Sequence, residues 1–122
     1  MNKYIIFGFD METDMGSYLK SYNGVKKGTD IIISILNKYN ADATFFFTGD
    51  AALNNAEQVK LVSANSFEIG CHSLKHETVG DAGFNMPNDA PILENELEGR
   101  LVENIRIIEE ISRQNPISFR AP

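Results

Sequence analysis

The chain of 122 residues is poor in histidine, with two, and in cysteine, with one. The lone Cys71 excludes an internal disulfide, which fits a reducing compartment. Basic residues are the minority charge, 11 lysines and arginines against 17 aspartates and glutamates, for a formal net charge of −6. That balance, with no basic stripe to override it, argues against nucleic acid and anionic membranes as partners, because both would repel the chain. Long apolar runs are missing too. The opening "MNKYIIFGF" is too short for a signal peptide or a membrane span, so the expectation is a soluble, cytoplasmic protein. No linker, repeat or low-complexity tract divides residues 1–122, which read as a single domain.

Strand and helix patterns alternate through the sequence. "KYIIFGF" (3–9) and "ATFFFTG" (43–49) are continuous apolar runs of the kind found in strands buried on both faces, and "SFEIGCH" (66–72) is a third strand. Residues 28–40 predict a helix with Thr29 as N-cap and Ile32, Ile35, Leu36 and Tyr39 on one face. Residues 54–65 predict a second helix, with Val59 and Val62 inward. Residues 94–115 predict a third, with a stripe of Leu97, Leu101, Ile105, Ile108 and Ile111. Residues 77–93 form a long segment without periodicity, and "PISFRAP" (116–122) reads as a fourth strand. Strands alternating with helices imply an α/β fold with parallel strands and covering helices.

In such folds the C-terminal ends of the strands share one rim, so polar groups far apart in sequence converge there. Strand one delivers Asp10, with Glu12 and Asp14 close behind, and strand two delivers Thr48 and Asp50. Strand three delivers His72 and His76, and strand four Arg120. Two histidines at i and i+4 can grip a divalent ion with a carboxylate as third ligand. Each feature also has an ordinary reading: surface imidazoles, an acidic loop that caps a helix or shapes a turn, an arginine in a surface ion pair. Convergence on one rim favours the metal. Cys71, flanked by glycine and histidine in an apolar strand, reads as core and not as a nucleophile.

Taken in order, "FGFDMETD", "ATFFFTG", "EIGCHSLKH" and "SFRAP" resemble the polysaccharide deacetylases of carbohydrate esterase family four, the nodulation-type chitooligosaccharide deacetylase domain. The resemblance implies half of a distorted, incomplete (β/α) barrel, truncated after the third family motif. It implies Asp10 as catalytic base, Arg120 as the residue that orients it, and His72 and His76 as metal ligands, with Ser73 and Pro122 at their usual motif positions. The common pattern has two adjacent aspartates, whereas here Met11 follows Asp10. The D-x-E spacing of some relatives then makes Glu12 the carboxylate ligand, with Asp14 as the alternative.

The implied cofactor is a divalent metal, zinc first and cobalt or nickel as alternatives. The implied activity is hydrolytic removal of N-acetyl groups from an amino sugar or polysaccharide. Two other readings stay open: a C–N hydrolase acting on a linear or cyclic non-sugar amide, and an inactive carbohydrate- or metal-binding relative. The family's histidine that protonates the leaving amine has no counterpart here. A homo-oligomer or a missing C-terminal half is therefore expected as partner, beside a carbohydrate or small-amide substrate.

Overall fold

The computed structural model describes residues 3–15, 19–79 and 94–122. Its elements are β1 (Gly8–Met11), α1 (Asn23–Tyr39), β2 (Thr44–Phe47), α2 (Gly49–Asn54), α3 (Ala56–Ala64), β3 (Glu68–Cys71) and α4 (Leu97–Ser112). A single 3-10 turn, Glu94–Glu96, leads into α4. The three strands lie side by side in the order β1-β2-β3, all parallel, as the alternation of strands and helices demands.

Successive side chains of a strand point to opposite faces. The register aligns Phe9 with Phe45 and Ile69, and Met11 with Phe47 and Cys71. These residues join Val25, Ile33 and Leu36 of α1, Val59 and Val62 of α3, and Ile107 and Ile108 of α4 in one core. The even-numbered neighbours, Gly8, Asp10, Thr44, Phe46, Glu68 and Gly70, occupy the other face. Phe46 stands outside the core cluster. Burial on both faces holds for β2, where Phe45, Phe46 and Phe47 are all buried, whereas β1 alternates at its end, with Asp10 exposed and Met11 buried.

Several boundaries differ from expectation, each for a local reason. Strand one does not span 3–9: β2 begins only at Thr44, so the chain before Phe7 has nothing to pair with, and Tyr4, Ile5 and Ile6 are 80–90% exposed. At its other end β1 continues to Met11, which places Asp10 inside the strand. Helix α1 starts at Asn23, not after Gly28, and Thr29 is no cap. Thr29 is fully buried, with its hydroxyl on the Val25 carbonyl 2.6 Å away. The inward stripe is Val25, Thr29, Ile33 and Leu36, leaving Ile35 and Tyr39 exposed.

The helix expected over 54–65 is α3, with Val59 and Val62 buried as expected. A short helix not foreseen in the sequence, α2, precedes it across the buried Asn55, whose amide bonds the Ala51 carbonyl. The fourth strand reduces to one parallel bridge, Phe119 to Cys71. Of the long segment 77–93, residues 80–93 lie outside the described residues. Among the described helices none is long and apolar enough to cross a membrane.

Candidate metal centre

Strand alternation accounts for which residues meet. Met11 turns into the core, 4% exposed, so the position after Asp10 offers no ligand. Two residues beyond Asp10 the chain returns to the polar face and presents Glu12. His72, two beyond Gly70, lies on that face as well. The Glu12 carboxylate is the hub of the cluster: one oxygen, Oε2, lies 3.2 Å from His72 Nε2 and 2.5 Å from His76 Nε2. The ligating atoms of Glu12, His72 and His76 all fall within 4.8 Å of one another.

A second contact sets the tautomer of His72. Its Nδ1 sits 2.9 Å from the Arg120 carbonyl oxygen. A carbonyl only accepts, so Nδ1 carries a proton, and Nε2 is the nitrogen turned toward the Glu12 oxygen, where it donates if protonated and can ligate if not. An imidazole nitrogen and a carboxylate oxygen at hydrogen-bond distance call for a proton or a cation between them. Two imidazoles and a carboxylate suit zinc or a similar ion, whose tetrahedral donors stand roughly 3.3 Å apart. A carbonyl holding the far nitrogen is the usual support of a metal histidine. The residues present therefore fit a divalent metal.

The electrostatics agree. Burial works to raise the Glu12 carboxyl, yet the hydrogen bonds and charges of His72 and His76 prevail and hold it at about 2. His76 is shifted up, chiefly by its hydrogen bond to Glu12 against the opposing effect of burial, with the charges of Glu12 and Asp10 contributing. Burial pushes the Cys71 thiol up to about 11, in keeping with a core residue.

Asp10 is not a member of the cluster. Its Oδ1 accepts from Arg120 Nη1 at 2.7 Å, with both side chains about 40% exposed. The Arg120 guanidinium lies over the Phe46 ring, 4.4 Å from its centroid. Glycine makes the room: a Cβ at Gly8 would collide with Arg120 Nη2, and one at Gly70 would meet the Phe46 ring and Ser118 Oγ. Arg120 thus serves both neighbours, Asp10 through its guanidinium and His72 through its carbonyl.

Asp14, the alternative carboxylate, is committed elsewhere. It accepts from the Asn23 and Gly24 amides at 2.8 and 2.7 Å and from the Ser21 hydroxyl at 2.6 Å, so it caps α1 from nine residues upstream. Thr48 caps α2 through the Ala51 amide, and the Asp50 amide bonds the Leu74 carbonyl.

The turn that carries the histidines holds features the sequence reading missed. Ser73 and His76 both have positive φ, 62° and 59°, in a region that costs a non-glycine residue on the order of 1–3 kcal/mol. The turn is braced by hydrogen bonds worth about 0.5–1.5 kcal/mol each. Ser73 Oγ accepts from the Glu77 amide, Glu77 accepts from the Lys75 amide, and Arg100 of α4 pairs with Glu77 at 2.7 Å. Asn104, also from α4 and fully buried, donates to the Ser73 carbonyl. The signal for Asn104 was a polar residue three positions beyond Leu101 and four before Ile108, in the middle of an apolar stripe.

A parallel α/β layer with a His-His-carboxylate cluster on its C-terminal rim and an Asp–Arg pair beside it defines a class of barrel-type protein with a candidate metal centre. The chain belongs to the polysaccharide deacetylase family, whose model matches residues 3–122. Its relatives include a peptidoglycan deacetylase from Helicobacter pylori, 23% identical over 136 residues, covering 100% of this chain and 43% of the relative. Among solved structures, a putative polysaccharide deacetylase from Mycobacterium smegmatis superposes with a TM-score of 0.74 at 23% identity, over 96% of this chain and 42% of that one. A pseudoenzyme of carbohydrate esterase family four from Bacillus anthracis superposes with a TM-score of 0.68 at 24% identity, over 96% of this chain and 35% of that one. The chain thus spans less than half the length of these relatives, and its parallel strands and covering helices form part of their barrel-type fold.

Proposed function

We propose that the chain carries the metal-binding half of a hydrolase that removes N-acetyl groups from an amino sugar of a polysaccharide such as peptidoglycan. The observation that carries the reading is the convergence of Glu12, His72 and His76 within 4.8 Å, beside the Asp10–Arg120 pair. Family membership supports the acetamide chemistry, and the relatives' names support the substrate class.

In this reading Glu12, His72 and His76 hold a divalent metal, zinc first. When bound, that metal supplies Lewis acidity to the amide carbonyl and lowers the pKa of water. Asp10 takes the proton of the attacking water as general base, and Arg120 orients the carboxylate for that transfer. The Arg120 carbonyl keeps the proton of His72 on Nδ1. Both histidines of the chain are engaged in the cluster, so neither is free to protonate the leaving amine. That proton comes from a group beyond the residues matched here, in the remainder of a longer domain or in a partner. Ile117, 83% exposed, and Phe119, 44% exposed, offer an apolar edge for it.

The likeness to a pseudoenzyme of carbohydrate esterase family four supports one alternative, an inactive relative that kept the metal cluster. The test is metal content by elemental analysis, with acetate release from an N-acetylated oligosaccharide, for the parent and for a His72→Ala, His76→Ala double variant. Near-stoichiometric metal with weak acetate release, both lost in the variant, is expected. Metal without release would favour the inactive relative, and no metal even after zinc or cobalt incubation would sink both.

A further inference from the structure

We propose that Asn104 is a positioning residue for the metal centre: from α4 it holds the left-handed turn on which His76 stands. The proposal rests on the metal reading above for its consequence, though not for its geometry. Ser73 and His76 adopt backbone conformations that non-glycine residues keep only where their surroundings over-determine them. At the entrance of the turn, the Ser73 carbonyl accepts from the Gly49 amide at 3.1 Å and from Asn104 Nδ2 at 2.7 Å. The same Nδ2 reaches the Phe47 carbonyl at 3.3 Å, and that carbonyl also accepts the His72 amide at 3.0 Å. One side-chain amide therefore brackets His72 on both sides and fixes the direction in which the chain leaves it toward His76.

A second observation separates this role from packing. Asn104 is 0% exposed, and its Oδ1 has no hydrogen-bond partner among the described residues. A buried polar atom left unsatisfied destabilises the fold, so an apolar side chain of similar size would suit this position of α4 better. What the asparagine adds is its donor, and that donor is spent on the two carbonyls beside the histidine turn. Arg100, one turn earlier on α4, braces the far end of the same turn through Glu77.

The test compares the full chain with Asn104→Leu, which keeps the branched shape and removes the donor, and with Asn104→Ala should the bulkier leucine variant fail to fold. In the metal-free protein, backbone chemical shifts of Ser73 and His76 report the left-handed conformation, and the variant should lose that signature. Zinc affinity, by chelator competition, should weaken about 10–100-fold. The visible spectrum of the cobalt-saturated variant should differ from that of the parent, because one imidazole no longer stands where it did. Parent-like shifts, affinity and cobalt spectrum, with only a lower melting temperature, would overturn the proposal and leave Asn104 a packing residue. A parent that binds no metal would count against the proposed function instead, and the metal-free shifts would still decide the role of Asn104.

Discussion

Phe45, Phe46 and Phe47 are consecutive in β2 and of one chemical kind, yet they belong to two different regions. Phe45 and Phe47 are fully buried under the helices, in the cluster with Ile69, Val59 and Ile108. Phe46 points the other way, onto Gly70 and beneath the guanidinium of Arg120. The same contrast runs along every strand. The odd-numbered face is apolar and covered, and stabilises the fold; the even-numbered face carries Asp10, Glu12, His72 and the support of Arg120. Stability and chemistry are thus separated by the two-residue pleat, and neighbouring positions should respond to substitution in different observables.

The largest effect that would break this division comes from the covered face. Phe45→Ala should cost about 3–5 kcal/mol in denaturant unfolding, as large-to-small changes in a packed core do. Phe46→Ala should cost less stability, because its ring lies outside that core. An equal loss at both positions would show that the two faces do not divide the work as described. Next in size, and sharpening the contrast, is Arg120→Ala. It removes the partner of Asp10 but leaves the backbone carbonyl on His72. Acetate release should fall roughly 100-fold, the lower range for a lost acid–base contribution, while metal content by elemental analysis stays at the parent level.

The smallest effect belongs to neither face. The Asp14 carboxyl is held below the usual carboxylate range, first by the Ser21 hydroxyl and then by the Gly24 and Asn23 amides. Its folded value lies below its unfolded one, so its contribution to the start of α1 is present above the ordinary aspartate range. That contribution is lost as pH falls through the lowered value. NMR of the first turn of α1, followed from about pH 5 downward, should show it loosening with acid, and Asp14→Asn should lack that dependence.

The parallel order and the convergence of Asp10, Glu12, His72, His76 and Arg120 were legible in the sequence, because both follow from strand–helix alternation and from residue spacing. Glu12 could be named as the candidate carboxylate through the D-x-E spacing of the family the sequence resembles, and the burial of Met11 accords with that choice. The division of faces was hidden, since "TFFF" is apolar throughout and the neighbour that makes Phe46 different, Arg120, comes from 74 residues away. The start of α1 was hidden for a related reason: its cap, Asp14, is no part of the local pattern. Asn104 was passed over because an apolar stripe is read by its apolar members, and the carbonyls it serves belong to β2 and the histidine turn.

Arg120 supports two neighbours in ways that mutation does not treat alike. The guanidinium on Asp10 is written in its codon. The carbonyl on His72 is supplied by whatever amino acid occupies position 120, and so is invisible to any single substitution there. Loss of the arginine would remove the partner of the proposed base while the histidine kept its prop, so one substitution at position 120 separates the proposed chemistry from the candidate cluster.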